Sequence, residues 1–208
     1  MKDIIIIGAG GLGRETAWLI EEINEITPEW NLLGFIEDST DNIGKKINGY
    51  KILGTTEYLN NLSEDIYTIV AIGDGKVREK MVNKLKNRKY ATLVHPDVRI
   101  SKNSNLGMGT IVCSGALISV NTEIGQHCVI NFNSIIAHDS KLKDFVTVNV
   151  NVNISGNVKI DKYSTIGSGA SIYQRKEIGE NCMIGIGSAV IKKVKSNKTA
   201  LGVPAEIF

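Results

Sequence analysis

Three histidines, three cysteines and one glycine-rich turn hold most of the reactive chemistry in these 208 residues. His138 is followed directly by Asp139. A neutral imidazole near its own pKa can accept a proton from a nucleophile at neutral pH. A carboxylate beside it can fix the tautomer and stabilise the imidazolium. His138 lies two residues after Ile136 and takes an outward slot if Ile136 faces in. Neighbours on a strand point to opposite faces, so contact between His138 and Asp139 requires a turn. His127, three residues after Ile124, reads as a solvated imidazole on the outside, and His95, before Pro96, reads as structural. Cys113, Cys128 and Cys182 are odd in number. They read as small core residues in a reducing cytosol, with no metal site expected.

The glycines Gly8, Gly10 and Gly13 follow an apolar run at 4–7, as in a buried strand leading into a helix. Ala17, Ile20 and Ile23 share one face of that helix. A second strand at 32–36 ends in Glu37-Asp38, and a third at 67–72 ends in Gly73-Asp74-Gly75. Residues 49–54 read as a loop or short strand. The next helix puts Val77, Met81 and Leu85 on its inner face, with Lys and Arg on the other. A last strand at 90–94 leads onward. Strands alternating with helices predict a small Rossmann-like parallel α/β domain over residues 1–92. Ligands bind such sheets at the carboxyl ends of the strands. There the glycine turn is either a bare strand–helix corner or a phosphate cradle at a helix N-terminus.

A different grammar follows. Every sixth residue from Ile100 to Val190 is Ile, Leu or Val, sixteen positions without a break. Two residues before each stands a small or β-branched residue, with Lys176 the exception. Residues two apart on a strand share a face, so both sets point inward. No single rung can bury that face alone, so rungs must stack into a solenoid. The pattern resembles the hexapeptide-repeat acyltransferases. That resemblance implies a left-handed parallel β-helix over 93–208, with three hexapeptides per coil and a C-terminal tail.

The totals exclude other classes. A net charge of +2 is too small to argue for nucleic acid. No apolar run reaches the length of a membrane span, and the first residues do not read as a secretion signal. A cytoplasmic protein is expected.

Four stretches sharpen the resemblance: Ile-Gly-Ala-Gly-Gly-Leu-Gly-Arg-Glu (7–15), Gly-Phe-Ile-Glu-Asp (34–38), Ala-Ile-Gly-Asp (71–74) and Leu-Val-His-Pro (93–96). They look like landmarks of the bacterial sugar-nucleotide acetyltransferases of the NeuD and PglD type. That family implies transfer of acetyl from acetyl-CoA to the amino group of a nucleotide-linked amino sugar, with a UDP-linked sugar expected and no metal. Alternatives are O-acetylation of sialic acid or another small acceptor, and a noncatalytic hexapeptide scaffold. The segment Ile-Ile-Ala-His-Asp-Ser (135–140) resembles the one that carries the general base, His138, with Asp139 beside it. The resemblance puts Gly10, Gly11, Leu12, Glu37, Asp38 and Gly73 on the nucleotide sugar. It puts Thr147, Gly156, Ser168 and Ile186 on acetyl-CoA, with Gly156 offering an N–H to the oxyanion. Lys192, Lys193, Lys195 and Lys198 are candidates for the CoA 3′-phosphate. Leu12 and Thr147 stand where relatives often have His, and Glu206 stands where a basic residue is usual. The resemblance also implies a homotrimer with the site shared between chains.

Overall fold

The structure is a computed structural model and describes every residue except Lys86. Its first part is an open α/β sheet. The elements are β1 (Lys2–Ile7), α1 (Gly11–Ile26), β2 (Trp30–Ile36), β3 (Lys46–Ile47), β4 (Tyr50–Gly54), α2 (Thr56–Asn60), β5 (Tyr67–Val70), α3 (Gly75–Lys84) and β6 (Lys89–Tyr90). The strand order is β3-β4-β2-β1-β5-β6, parallel except for β3. Ile4 to Ile7 are fully buried, since elements cover both faces of the central strand. The chain runs outward from β1 to β2 and β4, then returns on the other side of β1 with β5 and β6. This reversal leaves a crevice at the carboxyl ends of β1 and β5.

The expected last strand at 90–94 is two strands. The Ala91 N–H still bonds Thr68 of the open sheet, whereas the Leu93 N–H bonds Thr110 of the solenoid. Leu93–Val94 is the first rung of the β-helix.

The rungs are two residues long and pair in parallel with a period of 18, as in Ile111↔Val129 and Thr147↔Thr165. Three sheets result. The first runs from Leu93–Val94 to Met183–Ile184 and then Thr199–Leu201. The second runs from Arg99–Ile100 to Ala189–Val190, and the third from Asn105–Leu106 to Glu177–Ile178. The aliphatic residues fill the interior, with the small residues between them. Inward hydroxyls also satisfy corner backbone. Ser134 Oγ donates to the Asn149 carbonyl (2.7 Å) and accepts the Val152 N–H (3.2 Å). Ser164 does the same toward Gly179 and Cys182. The Cys128 and Cys182 thiols donate to the Lys143 and Lys195 carbonyls. Burial pushes the Cys113 and Cys128 thiols up to about 12, so neither is a nucleophile at neutral pH. Past the final rungs, Glu206–Ile207 lies antiparallel against Thr199–Leu201.

Corners turn through left-handed residues. One column is Asn121, Asp139, Asn157 and Arg175, at φ +57° to +60°. A second holds His127, Phe145 and Tyr163, at φ +52° to +61°. Bulky aromatics are rare in this conformation, and here they form a stack. The His127 and Phe145 rings lie parallel at 5.2 Å, and Phe145 stacks on Tyr163 at 6.0 Å.

The open sheet sits on this column and on the outer face of the first solenoid sheet. Ile111, Val129 and Cys113 share one apolar cluster with Ile4, Ala17 and Leu19. Two expectations fail at this junction, the second in part. His127 is buried, not solvated, because Tyr90 and Phe145 enclose it. The inner face of α3 holds only in part. Met81 and Leu85 pack into the core as expected, but Val77 is exposed, while Arg78 is wholly buried against the solenoid. At Arg78 the buried face is set by the backbone carbonyls available there.

Burial, helped by the Arg78 guanidinium, pushes the His127 imidazole down from 6.5 to about 4. Between those values the unfolded chain binds a proton that the folded chain does not. Stability therefore falls as pH drops from about 6.5 to 4, by on the order of 3 kcal/mol. We expect the melting temperature of His127→Asn, whose side chain suits a left-handed corner, to fall less steeply across that window than that of the wild type. Equal slopes by calorimetry would show that the buried imidazole does not carry this dependence.

Candidate active site

His138 stands on the edge between the second and third solenoid sheets, after Ile135–Ile136 and before Lys141–Leu142. Its side chain is 56% exposed. Asp139 takes the left-handed corner at φ +60°, which brings the two neighbouring side chains together. His138 Nδ1 lies 2.7 Å from Asp139 Oδ2. The His138 hydrogen bond holds the Asp139 carboxyl below its ordinary range, and a bond from Asn121 lowers it further. The carboxylate is therefore charged at neutral pH and can only accept. Nδ1 carries the proton, and Nε2 is the basic nitrogen.

Asn121, one coil earlier in the same column, donates from Nδ2 to Asp139 Oδ1 at 3.1 Å. It was not apparent from the sequence as part of this group, although its 18-residue offset from Asp139 is a signal. Gly156, one coil after His138, lies under the ring. A Cβ there would sit 2.5 Å from His138 Cε1 and Nε2. The His138 carbonyl meanwhile accepts the Asn157 N–H at 2.9 Å.

Ser168 is half-buried and Ile186 is 84% exposed. They lie one coil apart on the edge between the first and second sheets, a different edge from that of His138. Thr147 does not join them. It is buried in the first sheet, where its hydroxyl donates to the Gly73 carbonyl (2.8 Å) and accepts from Arg78 (3.1 Å). Its single hydroxyl proton is thus committed to the domain junction, which leaves only its backbone for the expected acetyl-CoA contact. A cavity of about 670 Å³ lies on the third sheet beside Lys143, Lys159 and Lys195. Lys193 is paired with Glu177.

The other crevice lies at the carboxyl ends of β1 and β5. Gly8 has φ +102°, and a Cβ on Gly13 would sit 1.9 Å from the Gly8 carbonyl oxygen, so helix and strand can meet only through glycine. A Cβ on Gly10 or Gly11 would meet nothing within 4 Å, so the backbone there is open to a ligand. Leu12 is partly buried and packs against the core of the open sheet. Glu37 is half-buried at the end of β2, and its N–H bonds Gly54. Asp38 is already committed within the domain. Its Oδ1 accepts from Thr56 N (3.2 Å) and Oγ1 (2.6 Å), and its Oδ2 accepts from Lys84 (2.9 Å). The Thr56 bond leads in holding its carboxyl below the usual range. Asp38 anchors α2 through Thr56. Gly73 is exposed, with open space where a side chain would be.

Residues 3–85 match the PglD N-terminal domain family. The chain is 32% identical over 111 residues to a UDP-N-acetylbacillosamine N-acetyltransferase of Bacillus subtilis, covering 51% of this chain and 49% of the relative. It is 33% identical over 105 residues to a GDP-perosamine N-acetyltransferase of Escherichia coli, covering 49% of this chain and 47% of the relative. The chain thus spans about half the length of the curated relatives it matches. The acetyltransferase domain of PglB from Neisseria gonorrhoeae, solved in complex with acetyl coenzyme A, superposes with a TM-score of 0.90 at 27% identity, covering 100% of this chain and 99% of that one.

The Asp139 contacts can be tested without a substrate. In His138→Ala the Asp139 carboxyl pKa, followed by carbon NMR, should rise toward the ordinary carboxylate range. Asn121→Gly keeps the left-handed corner and should produce a smaller rise. An unchanged Asp139 titration in both variants would show that neither bond persists in solution.

Proposed function

We propose that this PglD-like chain is an acetyl-CoA-dependent N-acetyltransferase acting on the amino group of a nucleotide-linked amino sugar. The observation that carries this reading is the contact between His138 Nδ1 and Asp139 on the outer edge of a hexapeptide coil. Support comes from curated relatives named for N-acetylation of UDP- and GDP-linked sugars and from the fold of a domain solved with acetyl coenzyme A.

The chemistry follows from the geometry. The sugar amine attacks the thioester carbonyl carbon while Nε2 takes its proton. The new C–N bond leaves a tetrahedral oxyanion, for which the Gly156 N–H is the donor in this reading. Collapse breaks the C–S bond. The imidazolium then returns its proton to the departing CoA sulfur. Asp139 holds the ring and offsets its transient positive charge. The nucleotide occupies the crevice between Gly10-Gly11 and Gly73, with Glu37 beside it.

Ser168 and Ile186 lie on a different edge from His138, so one CoA can meet both groups only if two chains adjoin. The second sheet also presents apolar side chains outward. Ile135 is 40% exposed, and Val120, one coil before His138 on the same edge, is 45% exposed. We therefore assign a homotrimer with its active sites between neighbouring prisms. No helix among the described residues is long and apolar enough to cross a membrane. The cytoplasm, where acetyl-CoA is made, is the compartment this reading requires.

CoA release measured across UDP-, GDP-, dTDP- and CMP-linked amino sugars, with free sialic acid as the contrast, tests the reading. Turnover confined to sialic acid, or absent throughout, would overturn it. In a productive pairing, His138→Ala should lower kcat by about 10²–10⁴. Gly156→Ala crowds the imidazole and should cost about a hundredfold with little change in melting temperature. Sedimentation should give a trimer for the wild type and smaller species for Ile135→Glu.

A further inference from the structure

Arg78 is wholly buried, and every hydrogen-bond acceptor it meets is a carbonyl or a hydroxyl. Nε donates to the His127 carbonyl at 2.7 Å. Nη2 donates to the Phe145 carbonyl (3.0 Å) and to Thr147 Oγ1 (3.1 Å), with the Val146 carbonyl at 3.4 Å. Nη1 donates to the Ile72 carbonyl (2.5 Å) and the Gly73 carbonyl (3.1 Å). Burial pushes its pKa down to about 10, so it remains a cation at neutral pH. One guanidinium therefore joins two coils of the solenoid to the carboxyl end of β5.

The orientation at β5 has a consequence. In a trans peptide the C=O and N–H of one unit point in opposite directions. The Ile72 carbonyl shares its peptide with the Gly73 N–H, and the Gly73 carbonyl shares its peptide with the Asp74 N–H. Both carbonyls are drawn inward, and Thr147 Oγ1 also holds the second. Both N–H groups must then face away from the junction, toward the switch-point crevice. Among the described residues neither donates to a backbone carbonyl. The Gly73 and Asp74 residues are exposed. A cation on the carbonyl side also polarises each peptide and strengthens its N–H as a donor.

We infer that Arg78 is the positioning residue of the nucleotide site: by gripping the Ile72 and Gly73 carbonyls from within the domain junction, it presents the Gly73 and Asp74 N–H groups as two fixed donors for an acceptor oxygen of the bound nucleoside diphosphate. This rests on the nucleotide-sugar reading above. Lysine cannot replace Arg78, because three donors on one point cannot reach acceptors on two coils and a loop.

The test is calorimetric titration of the full chain with UDP and GDP separately, and with acetyl-CoA as the control ligand. Arg78→Lys should weaken binding of the preferred diphosphate at least tenfold and leave acetyl-CoA within about twofold. Thr147→Val removes one donor from the Gly73 carbonyl while keeping the side chain's shape. It should weaken the diphosphate about threefold and spare acetyl-CoA, and it remains informative if Arg78→Lys fails to fold. If the wild type binds a diphosphate and folded Thr147→Val binds it equally well, the positioning role falls while the nucleotide reading stands. If the wild type binds neither diphosphate, the positioning role falls, and the nucleotide reading rests on the dTDP- and CMP-linked arms of the screen above.

Discussion

From residue 109 to residue 187 the coils turn every corner through a residue in the left-handed backbone region. That pattern organises the molecule. Left-handed geometry costs about 1–2 kcal/mol for residues with a Cβ, so most corners carry Gly, Asn or Asp. Because the repeat stacks like on like, each corner becomes a column of side chains one coil apart. On one edge the column brings Asn121 onto Asp139, and the turn itself folds Asp139 back onto His138. On another edge the same slot holds His127, Phe145 and Tyr163, a stacked surface on which the open sheet rests. The His138 edge and the domain junction are two uses of one backbone requirement.

The junction is unusual in its electrostatics. Burying a guanidinium without a carboxylate is costly unless its donors are satisfied. Here they are satisfied by carbonyl dipoles from both domains. Such an arrangement gives direction as well as attraction, because every acceptor is fixed in the backbone. The apolar contacts around it, from Ile111 and Val129 to Ala17 and Leu19, hold the surfaces together without fixing their angle. The guanidinium adds that register.

The sequence carried the solenoid openly, since a hexad of aliphatic residues admits few other structures. The open sheet was nearly as plain, although the stretch at 90–94 divided between two sheets where the period changes. His138 was legible as an outward imidazole, but its contact with Asp139 was not, because adjacent residues meet only at a left-handed corner. Arg78 was misread because apolar periodicity assigns a helix face by exclusion of charge, and here the buried face is built from carbonyls. His127 was misread for a related reason. Its neighbours at 145 and 163, Phe and Tyr in the same slot, were the available sign that this corner is covered. The partners that hold the Asp38 and Thr147 side chains, Thr56 and the Gly73 carbonyl, come from other elements and leave no sign in the local sequence.

A stack of parallel rungs presents unpaired N–H and C=O groups at its last turn, ready to template another chain. The antiparallel addition of Glu206–Ile207 to Thr199–Leu201 reverses strand direction there and sets an acid on the outermost strand. An incoming rung would have to pair against the wrong polarity and beside a negative charge. Glu206 thereby places a negative charge on the outer edge of the first sheet.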